Sequence, residues 1–362
     1  MHGLGAPAFR RTAIEAPTKI GVAPSLNLER VTQTLLKSRE PSIQWKIRVH
    51  VLDEDPNGPA IRRLQQKIRR SPRVQALLSH RDAHGFLRPR GNPYSKWQGA
   101  HWALATLADI GYPQADRSLF GMREQVLDRW LLPAYYREFE AATSAQAYRG
   151  TGVPRIRGRY RRCASQQGNA LYFLTRLGIA DDRSEALVER LLCWQWPDGG
   201  WNCDRNPGAD TSSFWESRHA MMGLALYGAR TKDRAANEAV DRATEVFLSR
   251  ELFLARRSGQ VMNSEFVALH YPLYFAYDIL GGLKAMVEVG RISDRRCQKA
   301  LDLLEAKRLP TGGWAAERRL YKVSSRLASR AEYVDWGGTS KRSMNEWVTA
   351  DALHVLKASG RM

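Results

Sequence analysis

Leu192-Cys193-Trp194-Gln195-Trp196-Pro197-Asp198-Gly199-Gly200-Trp201 joins the end of an amphipathic stretch to a tight turn and an indole. The preceding residues, Arg183 to Trp194, carry their charges on one face, the pattern of a helix with one side in water. Pro197 stops that helix, and Gly199 and Gly200 permit a sharp reversal. Trp201 is then placed to cover the junction with the next element. Leu309-Pro310-Thr311-Gly312-Gly313-Trp314 is a second, shorter copy of the same turn.

Working outward, the chain repeats one theme. Apolar, aromatic segments begin at Trp97 (Trp97 to Ala108) and near Gln166, Ser213, Tyr271 and Asn345. Amphipathic stretches lie between them, at Arg183 to Trp194, Arg234 to Phe253 and Asp294 to Arg308. Helices apolar nearly all round must be enclosed, while one-faced helices can sit outside them. Alternating the two kinds predicts concentric rings of paired helices, and strand signals are nearly absent. The expected fold is all-α, with residues 1–30 as a loose arm, 31–80 as a helical extension and 81–360 as the main body of one domain. In the extension, Ile61, Leu64 and Ile68 share one helical face behind Pro59.

The turn at Gln195 to Trp201 resembles the QW repeat, Gln-x-x-x-Gly-Gly-Trp/Phe, of squalene cyclases and protein prenyltransferase β-subunits. That resemblance implies an (α/α) toroid of five to six helix pairs, with Gln195 and Trp201 as scaffold. It also implies a zinc site. The prenyltransferase segment Val-Asp-x-Cys-Tyr-Ser-Phe-Trp is matched by Ala209-Asp210-Thr211-Ser212-Ser213-Phe214-Trp215, and its downstream histidine segment by His270-Tyr271-Pro272-Leu273-Tyr274. The motif cysteine is missing, and Cys203 stands nearby. Cys203, Asp210 and His270 are therefore the implied zinc ligands, with His270 as a helix cap and Cys203 as a plain loop thiol the structural alternative.

Cyclase signatures are absent. Asp-x-Asp-Asp does not occur; Asp53-Glu54-Asp55-Pro56 reads as a solvated turn and Asp181-Asp182 as a helix cap. Cys163-Ala164-Ser165-Gln166 matches the Cys-x-x-Gln spacing of complement-type thioester domains without their central Gly-Glu. Glu216 and His219, like Asp351 and His354, are spaced to face the same way on a helix. Glu216, His219 and Asp351 are the candidate acid–base groups if they face a cavity.

Cations precede the apolar helices: Lys96, Arg157, Arg159, Arg161 and Arg162, Arg205, Lys341 and Arg342. Gathered with helix N-termini at one mouth, they make an anion-binding rim. The expected substrate site combines Lys96, Arg161 and Arg162 with Trp97, His101, Trp102, Tyr172, Trp215, Tyr274 and Trp347, and the expected ligand is an isoprenoid diphosphate or similar amphipath. The resemblance implies a transferase or cyclase acting on that ligand, with a non-catalytic toroid that binds lipid or protein as the alternative.

The balance of 56 Lys+Arg against 37 Asp+Glu, net +19, attracts anions and is compatible with peripheral contact at acidic membranes. No nucleic-acid-binding signature accompanies it. No apolar run approaches the roughly 18 residues of a membrane span. Four scattered cysteines and no export signal point to reduced thiols and the cytoplasm.

Overall fold

The computed structural model describes residues 24–362. The arm expected at 1–30 lies mostly outside the described residues, and residues 24–30 belong to the first helix. The described chain forms fourteen α-helices and little strand, as the periodicity predicts, and no helix among them is long and apolar enough to cross a membrane.

The extension is α1 (Pro24–Leu36), α2 (Pro41–His50), α3 (Pro59–Arg69) and α4 (Pro72–Leu77). All four open on a proline, which costs no hydrogen bond in the first turn, and α2, α3 and α4 follow Glu40, Gly58 and Ser71 as N-caps. The apolar segments become α5 (Ala100–Asp109), α8 (Ala164–Arg176), α10 (Phe214–Thr231), α12 (Ile279–Glu288) and α14 (Glu346–Ala358). The charged stretches become α9 (Ser184–Trp194), α11 (Arg234–Leu248) and α13 (Gln298–Ala306). Two further helices, α6 (Phe120–Trp130) and α7 (Ser144–Arg149), fall between α5 and α8.

The apolar helices contact one another in chain order, α5 to α8 to α10 to α12 to α14, and α14 packs on α2. Lys46 of α2 then returns to Asp109 of α5 at 2.8 Å. The charged helices pack behind them: α6 and α9 against α8, α11 against α10, α13 against α12.

Short strands appear where none is expected. β1 (Glu138–Glu140) pairs parallel with β2 (Val153–Ile156), which pairs antiparallel with β3 (Arg159–Tyr160), and β4 (Lys322–Val323) runs parallel to β5 (Ala331–Glu332). A second difference concerns α12, which starts at Ile279 and not at Tyr271. Pro272 disfavours helical backbone at the residue before it, and Tyr274 has φ +45°. Asp278 then caps α12 by accepting from Gly281 N at 2.7 Å, while its other oxygen accepts from His270 N at 3.0 Å.

The two glycine turns are built alike. Gly199 and Gly312 have φ +101° and +102°, a region that favours glycine. A Cβ on Gly199 would also sit 2.3 Å from Arg242 O. Trp201 Nε1 donates to Leu191 O at 2.8 Å, and Trp314 Nε1 to Leu304 O at 2.7 Å, each ten residues back. Each tryptophan's main chain is clasped by a hydroxyl in the following apolar helix. Ser217 Oγ accepts from Trp201 N at 3.0 Å, and Thr349 Oγ1 accepts from Trp314 N at the same distance. Both hydroxyls donate back to the same tryptophan's carbonyl. Gln195 completes the first copy, donating to Gly199 O and Ala239 O.

Candidate functional site: a charged cavity

A cavity of about 390 Å³ lies among α2, α5, α8, α10, α12, α14 and the segment 271–274. Its lining comes chiefly from the C-terminal halves of α2, α5, α8 and α12 and the middle of α14: Trp45, Lys46 and His50, then Asp109, then Tyr172 and Arg176, then Lys284 and Glu288, then Asp351 and His354. The rim expected at the helix N-termini is therefore not where the cavity lies. The aromatic residues there fill the space with one another. Trp97 stacks on Tyr274 at 3.9 Å, Trp102 meets Trp97 edge-on at 4.9 Å, and Tyr94 packs on Trp102 at 4.8 Å. Trp347 stacks on Tyr271 at 4.9 Å.

Two lysines and two aspartates of the lining close a ring. Lys46 Nζ donates to Asp109 Oδ2 at 2.8 Å and Asp351 Oδ1 at 2.9 Å. Lys284 Nζ donates to Asp109 Oδ1 at 3.0 Å and Asp351 Oδ2 at 2.6 Å. Tyr271 Oη adds a bond to Asp109 Oδ2 at 2.9 Å. Burial alone would raise Asp109, but the two ammonium groups outweigh it and hold the carboxyl well below its usual range. Against burial, the two carboxylates raise Lys284. Asp109 and Lys284 are thus held in their charged forms.

The histidines around it are neutral. Burial, then the neighbouring His354 and Lys46, push His50 far down. His354 falls to about 4, chiefly by burial, and its ring stacks on His50 at 4.4 Å. Burial and Arg218 lower His219. Its Nε2 receives Arg218 Nη2 at 3.1 Å, which places the neutral ring's proton on Nδ1, a buried atom with no partner.

Arg176 reaches Glu288 at 2.7 Å and Tyr172 Oη at 2.9 Å. Arg218 is different. Its guanidinium is held by the carbonyls of Tyr274 and Ala276 at 3.2 and 3.1 Å instead of a carboxylate, and its Nε is buried without a partner. Four cations, Lys46, Arg176, Arg218 and Lys284, thus face three carboxylates, Asp109, Glu288 and Asp351. The cavity carries one positive charge in excess. Ala105, Ala108, Met222, Leu273 and Val287, with Trp45, Tyr172 and Tyr271, supply its apolar wall.

Of the acid–base candidates, His219 and Asp351 line this cavity and Glu216 does not. Of the substrate-site residues, Tyr172 and Tyr274 line it, while Lys96, Trp97, His101, Trp102, Arg161, Arg162, Trp215 and Trp347 lie elsewhere. His101 is fully buried, accepts from Trp130 Nε1 at 3.3 Å and is pushed down to about 3 by burial. The cations are absorbed locally. Lys96 sits over Phe275 at 4.2 Å, Arg161 over Trp196 at 4.4 Å and Arg162 over Tyr135 at 3.9 Å.

The implied zinc ligands do not fit. His270 Nδ1 lies 2.7 Å from Asp278 Oδ2 in the core, and Asp210 is exposed in the loop before α10. Cys203 instead meets Cys163 and Glu216, all three ligand atoms lying within 4.8 Å of one another. Contact with Cys163, burial and Glu216 all raise the Cys203 thiol. Burial raises Glu216 despite two bonds from Ser165.

The residues that sequence reasoning missed are Trp45, Lys46, His50, Asp109, Arg176, Arg218, Lys284 and Glu288. Lys284 interrupts a buried apolar run, Leu280 to Met286, and Lys46 stands between the buried Ile43 and Ile47 of α2. A lone cation so placed is the signal that could have found them.

Neither protein-family models nor curated proteins match this chain. Among solved structures, a protein from Actinoplanes is similar over 93% of this chain and 99% of its own, at 15% identity and a TM-score of 0.45.

Proposed function

We propose that the chain is an (α/α) toroid, of the terpenoid-cyclase and prenyltransferase architecture, that binds an amphipathic anionic small molecule in the cavity beneath its helix C-termini. The toroid reading is supported by the order of helix contacts, the return from α2 to α5 and the twice-used tryptophan clasp. An isoprenoid diphosphate or a similar lipid-like anion is the ligand class.

The single observation that carries the ligand reading is Arg218, a buried guanidinium with no carboxylate in hydrogen-bond contact, on which Asp278 acts only at longer range. A buried guanidinium without a carboxylate partner is costly unless an anion completes it. Arg218 and the unpaired His219 Nδ1 supply donors for that anion, and the apolar wall accepts a hydrocarbon chain. A thermal-shift series tests this with a prenyl diphosphate, the matching prenyl alcohol and inorganic pyrophosphate. The full amphipath stabilises the protein most, and stabilisation grows with ligand concentration by mass action. Equal or absent shifts for all three oppose the reading.

A second reading, binding without catalysis, is favoured by the Lys–Asp ring. Asp109 is held ionised by two lysines, so it is no proton donor to an alkene. Incubation of the protein with prenyl diphosphates, followed by product analysis, separates the two: unchanged ligand recovered from a saturated complex supports a carrier or scaffold.

A further inference from the structure

We propose that Cys163, Cys203 and Glu216 form a Zn²⁺ site, separate from the cavity and independent of the ligand reading above. None of the three lines the cavity, and each is placed by a different local device.

The pairing of α8 with α10 brings the first and third together. Gly168 lets the helices approach so closely that a Cβ there would sit 2.4 Å from Ala220 Cα, and one on Gly223 2.4 Å from Gly168 O. Cys163 is the N-cap of α8 and its thiol makes no capping bond. Glu216 stands in the first turn of α10. The tryptophan clasp delivers the third. Ser217, next to Glu216, grips the main chain of Trp201, and Cys203 follows two residues later. Cys203 Sγ then lies 3.3 Å from Glu216 Oε1.

Tetrahedral zinc, with Zn–S near 2.3 Å and Zn–O near 2.0–2.2 Å, sets its ligand atoms roughly 3.5–3.8 Å apart. Three atoms within 4.8 Å of one another reach that array by side-chain rotation alone. Glu216 is already oriented: its Oε2 accepts from Ser165 N at 3.0 Å and Ser165 Oγ at 2.9 Å, which leaves Oε1 to the thiols. Such outer bonds are the usual support of a ligating carboxylate. Two thiolates select a soft cation over Mg²⁺ or Ca²⁺.

Binding breaks two S–H bonds and forms two S–Zn bonds and one O–Zn bond. Both protons pass to the buffer. The loaded site carries one negative charge, facing Arg162 and the N-termini of α8 and α10. Three protein ligands leave the fourth position for water or an incoming donor.

The test uses the full chain with its thiols kept reduced. Zn²⁺ is titrated against a chromophoric chelator, and Co²⁺ is added separately as a spectroscopic probe that needs no variant. About one Zn²⁺ binds per chain, and Co²⁺ gives a thiolate charge-transfer band with tetrahedral visible bands. Cys163→Ser and Cys203→Ser each weaken Zn²⁺ binding by a hundredfold or more, and Ser165→Ala by roughly tenfold. Asp210→Ala changes nothing. Substoichiometric zinc, a Co²⁺ spectrum without the thiolate band, or binding indifferent to Cys163→Ser overturns the site. Loss of binding in Asp210→Ala returns the metal to the set implied by the prenyltransferase resemblance.

Discussion

Lys46 and Asp351, 305 residues apart in the chain, meet at 2.9 Å in the interior, with 4% and 5% of their side chains exposed. This contact joins the extension to the last apolar helix and makes α2 part of the helical body. Removing one partner of a buried pair leaves the other uncompensated and costs about 3–5 kcal/mol. Lys46→Met is therefore expected to lower stability by that amount in chemical denaturation. A loss below about 1 kcal/mol contradicts a structural role for the ring.

Acid should weaken the fold well before the carboxylates titrate. His101 is buried and His354 half-buried, and both are held neutral, pushed down to about 3 and about 4 chiefly by burial. An unfolded histidine takes up its proton near pH 6.5. Their contribution is complete above that value and is lost as pH falls toward 4 and then 3, because the unfolded chain binds more protons there. Asp109, held low in the fold, adds a further decline below about pH 4. Melting temperature should fall between pH 7 and pH 5, and fall less in His354→Phe, which keeps the stacking on His50. Identical profiles for the two proteins would speak against the neutral state.

The tryptophan clasps give an additive pair. Ser217→Ala and Thr349→Val each leave a tryptophan amide without its partner, while the carbonyl keeps its main-chain bond from Ser213 or Asn345, at about 1–3 kcal/mol. The two hydroxyls share no partner, so the double variant should lose the sum within about 0.5 kcal/mol. Strong non-additivity in denaturant melts would show that the turns are not independent braces.

Those turns are also the part of the fold most legible in the sequence. Proline, paired glycines and tryptophan act locally, so both copies and the helices around them can be read from spacing. The α12 boundary was obscured because Tyr271 to Ala276 are as apolar as a helix, while Asp278 caps the real one. The site was harder. Aromatic residues at the helix N-termini look like the lining of a well, but Trp97, Trp102 and Tyr274 satisfy one another. Lys46, Asp109, Lys284 and Asp351 come from four separate helices, and nothing in their local spacing announces that they converge. Cys163 and Glu216 likewise meet only because Gly168 permits a close crossing.

That crossing supplies its own test. Gly168→Ala places a methyl against the Ala220 backbone, which cannot yield as a flexible side chain could. The variant should lose about 1–3 kcal/mol, whereas a helix-propensity argument alone expects a gain of about 1 kcal/mol. The sign of the change in unfolding free energy decides between them.

Calorimetric titration of the purified protein with a prenyl diphosphate, beside the variant Val287→Trp that fills the apolar wall, addresses the cavity most directly. Saturable binding of one molecule per chain, weaker for both the prenyl alcohol and pyrophosphate and lost in Val287→Trp, is the expected result. Absence of saturable binding, or binding unchanged by filling the cavity, would contradict the assignment of an anionic amphipath to this site.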